Sequence, residues 1–412
     1  GPRNVNGPDP IQVEKVWQQL NLVYNLGGRD FWVVNLGDIK PVELPLDFVL
    51  NMAGNPDRIS PDVLAAYSAG WAKQIFGEAL AEEIGELLTR YSQYAAMRKP
   101  ELINEDTFSV GRVGKAALYT GEFYPLVSKW RKLVEKLTAV KSRITQEQQA
   151  AFFQLVEYPI ASFANLYELY FATAWNRLLA SQHDARANYF RLKAEKAFAF
   201  DATLTEDYHK LKGGKWDGMM NQVHMNYVIW NSPTEQTMPA LTKVNDGRNK
   251  IDVVFKDDIK KSNNRIEIEA SAYSQSVTGA GLSWKAIPNL GQSRAAMITV
   301  PQGQAPTTAK DGVRLGYKFA LQENSTLKVA LQLSPSLDTR NAGGLRVGLS
   351  IDGGPVQIAS FNLVPTGGPT RSPGEKRWAK AVIDNRHIIN TVCLLYTSQH
   401  ADNLPLVSPG GR

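Results

Sequence analysis

The spacing of apolar residues changes at Met238-Pro239, and that change decides what most of this chain can fold into. From Ser60 to about Met238 they recur every three or four positions. Leu80, Ile84, Leu87, Leu88, Tyr91 and Ala95 form one stripe, and Trp130, Leu133, Val134, Leu137 and Val140 another. Phe152, Phe153, Val156, Phe163, Leu166, Tyr170, Phe171, Ala174 and Leu178 extend the pattern, with Pro159 placed to kink or divide their helix. After Met238-Pro239 the period becomes two. Ile251–Phe255, Ile266–Ala270, Ala295–Val300, Val313–Leu321, Thr326–Leu333, Leu345–Ile351 and Val356–Phe361 read as strands between turns such as Asp352-Gly353-Gly354. The spacing predicts a helical bundle over residues 60–240 and an antiparallel β-sandwich over 241–412.

Residues 1–59 follow a third rhythm. Val13, Val16, Trp17, Leu20 and Tyr24 predict a helix stopped by Gly27-Gly28, Phe31-Trp32-Val33-Val34 a buried strand, and Leu46–Met52 a second helix. Helix, strand, helix belongs to a parallel sheet or barrel, where a strand needs neighbours on both sides. Residues 1–59 are therefore expected to be the last part of a larger barrel or sheet that lies upstream. The opening GPRN shows no signal peptide.

Polar residues directly after a parallel strand have good odds of facing a ligand. That rule singles out Asn35, Asp38 and Lys40; against it, Asp38 caps a turn, Asn35 bonds loop backbone and Lys40 is solvated. Arg3 and Asn4 precede the first helix as the loop of a preceding strand would, and arginine suits a carboxylate, although the sequence alone favours a frayed terminus with a solvated arginine. Trp216, Met219, Met220, Val223, Tyr227 and Trp230 follow helical spacing across Gly213–Pro233, which favours core over a sugar platform built on Trp216 or Trp230. His224 in that run reads as a satisfied helix histidine.

Composition narrows the function. The net charge of +6 is made of interspersed acids and bases, so it points away from nucleic acid and towards, at most, an anionic or carboxylate-bearing partner. One cysteine, Cys393, excludes an internal disulfide framework and cysteine-rich zinc sites, and histidines at 183, 209, 224, 387 and 400 lack metal spacing. No apolar run approaches the roughly 20 residues of a membrane span. Walker, dinucleotide, His-Glu-x-x-His and Gly-x-Ser-x-Gly signatures are missing, so catalysis would fall to carboxylates: Asp38, then Glu43 and Asp47, which also suit the start of the helix entered at Pro45.

Longer motifs carry a family resemblance. They are GPRN, WVVNLGDIKP at Trp32–Pro41, LDFVLNMAGNPDRI at Leu46–Ile59, RYSQYAAMRKPEL at Arg90–Leu102, FFQLVEYPIASFANLYELYFATAWNRL at Phe152–Leu178, GGKWDGMMNQVHMNYVIW at Gly213–Trp230, and RIEIEASAYS at Arg265–Ser274. In this order they resemble the C-terminal part of glycoside hydrolase family 115, the xylan α-glucuronidases. The resemblance implies removal, with inversion, of glucuronic acid or its 4-O-methyl ether from glucuronoxylan or substituted xylo-oligosaccharides, without a cofactor. It also implies a multidomain fold, with the end of a TIM-like (β/α) barrel in residues 1–59, then a helical bundle, then an antiparallel β-sandwich. Inversion calls for an acid and a base carboxylate roughly 6.5–9.5 Å apart. Asn35 and Asp38 match the family's Asn-x-x-Asp, which assigns Asp38 a base or sugar-binding role. Periplasmic or secreted action is implied for a xylan-degrading enzyme.

The chain also departs from the family pattern. Most of the barrel, with at least one catalytic carboxylate, is expected to lie outside it, so the fragment alone is expected to be inactive. Gly54 stands where members carry Trp, and Cys393–Arg412 does not resemble the usual closing strand, so 393–412 is expected to be a non-native tail. Two other classes stay in view. One is a carbohydrate-binding module using Tyr273 or Trp284; the other is a helical scaffold that pairs as a homodimer.

Overall fold

The computed structural model describes residues 11–35, 40–225, 233–245, 252–257, 266–320, 326–336, 338–340, 343–361, 373–390, 394–395 and 406–408. The chain divides into two compact units that interleave in sequence. The first contains Val34–Asp47 and Ala66–Ile266; the second contains Gln12–Val33, Phe48–Ala65 and Glu267–Arg412.

The helices are α1 Val13–Asn25, α2 Glu43–Gly54, α3 Pro61–Phe76, α4 Glu78–Ala95, α5 Phe123–Lys141, α6 Gln149–Phe152, α7 Tyr158–Ser181, α8 Ala187–Gly214 and α9 Pro373–Ile383. The helical stripes read from the sequence are the buried faces of α4 and α5, and both pack on α7. α7 itself is buried at 18 of its 24 residues, so it must be enclosed on every side. An aromatic seam fills the first unit. Trp130 stacks on Phe163 at 5.6 Å between centroids, and Tyr91 meets Phe163 edge-on at 5.5 Å. Gly85 lets α4 approach α3, because a Cβ there would lie 2.6 Å from the Ala69 backbone.

Pro159 does not end its helix. α6 passes into α7 through a π turn, Phe153–Glu157, with helical backbone at both junctions and Pro159 just after it, so the missing N–H falls where the hydrogen-bond ladder changes register. Two asparagines then fasten an extended segment across the helices. Asn176 brackets Thr242, accepting from its N–H at 2.8 Å and donating to its carbonyl at 2.8 Å. Asn188 does the same at Val244, at 3.0 and 2.7 Å. Alternate residues of the segment thus receive the bonds that a β-strand partner would give.

The first unit is not wholly helical. β1 Gly111–Val113 pairs antiparallel with β2 Leu118–Thr120, and β2 pairs parallel with β3 Phe255–Asp257. The remaining strands are β4 Gln275–Val277, β5 Ser283–Pro288, β6 Ala295–Val300, β7 Arg314–Gly316, β8 Thr326–Leu327, β9 Ala330–Leu333, β10 Leu345–Ser350, β11 Gln357–Phe361, β12 His387–Asn390, β13 Leu394–Leu395 and β14 Leu406–Ser408. They form one five-stranded sheet, ordered β11-β10-β14-β7-β4, and three two-stranded ones. The turn expected at Asp352-Gly353 joins β10 to β11, with both residues at positive φ, 51° and 72°. Ile266–Ala270, expected as a strand, is largely exposed and pairs with none. Within the segment 393–412, Leu406–Ser408 sits inside the five-stranded sheet between β10 and β7.

In the second unit Trp17 is buried and donates from Nε1 to the Ile59 carbonyl at 2.6 Å, joining α1 to the turn before α3. The buried strand expected at Phe31–Val34 is not there. Residues 31–35 form no strand, and Phe31 and Val33 are 83% and 81% exposed. Strand preference in four residues cannot form a ladder without a partner, and among the described residues none lies beside them.

Lys15 of α1 donates to three neutral acceptors: Ser334 Oγ at 2.9 Å, the Pro335 carbonyl at 2.8 Å and Gln18 Oε1 at 3.1 Å. Burial without a matching charge lowers its pKa to about 8. The unfolded chain therefore holds this proton to higher pH than the folded one, so stability rises with pH between about 8 and 10.5. Lys15→Met should remove that rise, worth roughly 3 kcal/mol, in urea titrations across the interval. Gly85→Leu should cost at least about 2 kcal/mol in the same assay, since the backbone it meets cannot rotate away.

Candidate functional site

Four side chains singled out from the sequence on separate grounds, Lys40, Glu43, Trp216 and His224, fall on one run of contacts in the first unit. Its apolar floor is Tyr158, Leu204, Tyr208 and Met220, with Trp216, Met219 and Phe153 packed against them. At one end Lys40 Nζ lies 2.7 Å from Glu43 Oε1 and 4.2 Å from the centre of the Trp216 ring. Gln154, carried on the π turn, donates from Nε2 to the same Glu43 oxygen at 2.8 Å. Lys40 and Glu43 keep only 13% and 20% of their side-chain exposure, so their attraction is screened less than that of a surface pair.

Trp216 reaches this position because α8 ends early. Leu211, Lys212 and Gly213 leave helical geometry, the last two at positive φ of 50° and 70°, and residues 215–220 continue as turns. The helix expected across Gly213–Pro233 is therefore absent from 215–225, the glycine pair overriding the helical spacing. Positions 226–232, including Tyr227 and Trp230, lie outside the described residues. The Trp216 ring carries the Lys40 ammonium and, at 4.8 Å, the Lys215 ammonium, which makes it a seat for cations.

At the other end the buried Asp201 carboxylate receives His224 Nδ1 at 3.0 and 3.1 Å and Gln236 Nε2 at 2.7 Å. Gln236 Oε1 in turn accepts from the His224 backbone N–H at 2.9 Å. The carboxylate sets the imidazole tautomer with its proton on Nδ1; Nε2 is buried and meets no acceptor or donor among the described residues. Between the two ends lie the phenols of Tyr158 and Tyr208, whose rings are 4.7 Å apart. Burial, followed by the Asp201 charge, pushes the Tyr158 hydroxyl up. Burial, followed by Glu43, does the same for Tyr208, so both stay protonated donors across the physiological range.

The other sequence candidates are not among these contacts in the described residues. Asn35 is exposed, and Arg3, Asn4 and Asp38 lie outside the described residues. Asp47 accepts from Tyr67 Oη at 2.6 Å. Tyr273 is 39% exposed, and Trp284 sits partly buried on β5. Among the described residues no group of three metal-ligating side chains occurs, and no helix is long and apolar enough to cross a membrane.

Sequence reasoning missed Asp201, Gln154, Gln236 and the two tyrosines. One of them had left a signal. The buried stripe of α8 runs Phe190, Ala194, Ala197, Asp201, Leu204, Tyr208, and a carboxylate at a core position of such a stripe demands a partner.

Comparison with known proteins follows the same lines. Residues 1–102 match the model of glycosyl hydrolase family 115, and residues 260–401 match that of the family 115 C-terminal domain. A solved family 115 4-O-methyl-α-glucuronidase, described as having specificity for decorated arabinogalactans, shares the fold with a TM-score of 0.66 at 19% identity. The likeness covers 98% of this chain and 47% of that one, so the chain spans about half the length of the structure it matches. A search of curated proteins finds no match. The chain belongs to glycosyl hydrolase family 115.

The Asp201 carboxylate accepts from both His224 and Gln236, so removing it should be costly. Asp201→Ala leaves the His224 Nδ1–H and the Gln236 amide unpaired in a buried place. Stability should fall by about 2–4 kcal/mol in denaturant titrations, whereas Asp62→Ala, at an exposed surface pair, should change it by under about 1 kcal/mol.

Proposed function

We propose that this chain forms part of an inverting α-glucuronidase that releases glucuronic acid, or its 4-O-methyl ether, from side chains of glucuronoxylan and glucuronate-substituted xylo-oligosaccharides. The observation that carries the reading is that family 115 models match both ends of the chain. On this reading residues 1–59 end the catalytic barrel, and the Asn35–Lys40 tip contributes to the uronate pocket. Asn35 binds sugar hydroxyls, and Asp38 either activates the attacking water or hydrogen-bonds the sugar in the transition state. Lys40 supplies a cation suited to the substrate carboxylate, in keeping with the anionic partner that the charge allows. A second reading keeps the chemistry and changes the backbone, because the solved relative is described as specific for decorated arabinogalactans.

The test joins the chain to the remaining half of a family 115 enzyme and measures released 4-O-methylglucuronate. Glucuronoxylan as the better substrate supports the first reading, and decorated arabinogalactan the second. Asp38→Ala should lower release at least about 100-fold, as loss of a base or transition-state contact does. Near-normal turnover in that variant removes Asp38 from the site.

A further inference from the structure

Gln154 and Trp216 belong to elements remote in sequence from the Asn35–Lys40 tip, yet both converge on its last residue. Glu43 Oε1 accepts from Lys40 at 2.7 Å and from Gln154 at 2.8 Å, so one carboxylate oxygen joins the start of α2 to the π turn. Gln154 is buried, and it bonds Glu43 from within the π turn, a kind of turn frequent at functional sites. Trp216 is held in turn by its apolar floor and presents its face to the Lys40 ammonium at 4.2 Å. An ammonium has three N–H donors. Glu43 takes one and the indole face attracts a second, and among the described residues no acceptor meets the third.

We propose that Gln154 and Trp216 are positioning residues of the uronate pocket. They act through Glu43 and directly on Lys40, and they hold the ammonium with one donor left for a substrate carboxylate. The inference rests on the glucuronidase reading and extends it by assigning the helical region a part in recognising the acid rather than the sugar ring. It also gives Glu43 a holding role, because its oxygen is occupied by two donors.

The experiment uses the chain joined to the remaining half of a family 115 enzyme, with two probes, D-glucuronate and the neutral D-glucose, titrated calorimetrically, and follows amide exchange at Leu46. The Leu46 N–H bonds to the Val42 carbonyl at 2.9 Å and so reports the first turn after Lys40. Gln154→Leu and Trp216→Leu should speed that exchange about tenfold or more and cut the preference for glucuronate over glucose by about fivefold or more. Trp216→Phe, which keeps an aromatic face, should retain most of the preference. A purely structural loss would weaken both sugars together and leave the ratio alone, which would overturn the inference. Unchanged exchange at Leu46 in both leucine variants would overturn it independently of any ligand. If the unaltered chain prefers glucuronate and the variants keep that preference, the inference fails while the glucuronidase reading stands. If it shows no preference and exchange still responds, the uronate-pocket reading is what fails.

Discussion

The enclosure of α7 is the constraint on which the first unit depends. A helix buried at 18 of 24 positions leaves little of its surface to solvent, so the neighbours that cover it must present apolar stripes to it. α4, α5 and α8 do so, and the aromatic seam around Trp130 and Phe163 fills what aliphatic side chains would leave open. The polar groups of α7 that remain inside are bonded to backbone. Asn165 donates to the Ala197 carbonyl at 2.8 Å, and Asn176 clamps Thr242. Such a helix cannot shift without disturbing the whole unit, which makes its ends good platforms.

Both features of the candidate site gather near the N-terminal end of α7. At the N-terminal end, Pro159 and the π turn orient Gln154 towards Glu43. Beside it, the C-terminal half of α8 brings Asp201, Leu204 and Tyr208 alongside Tyr158, and the glycine break at 213 turns the chain so that Trp216 reaches Lys40. A buried acid and an almost buried ion pair are each costly to desolvate, and each is matched here by hydrogen bonds, Asp201 from His224 and Gln236 and Glu43 from Lys40 and Gln154.

Much of the fold was legible because burial imposes a period. The stripes of α4 and α5, the irregular turn before Pro159, the switch after Met238 and the Asp352-Gly353 turn all follow from side-chain spacing or backbone chemistry that a single segment carries by itself. The misreadings share one cause. Phe31–Val34 had strand preference but needed a partner, and Trp216–Val223 had helical spacing but followed two glycines that stopped the helix. The long motifs also identified the family, since several in a fixed order constrain more than any local preference.

The sequence by itself determined which faces are apolar, where helices end, and that Lys40, Glu43, Trp216 and His224 were worth attention, because those are properties of a residue and its near neighbours. Only the tertiary structure decided that they share one run of contacts. Glu43 meets Gln154 across 111 positions and His224 meets Asp201 across 23. Distances of that kind are set by how helices pack around α7, and no periodicity within one segment encodes them.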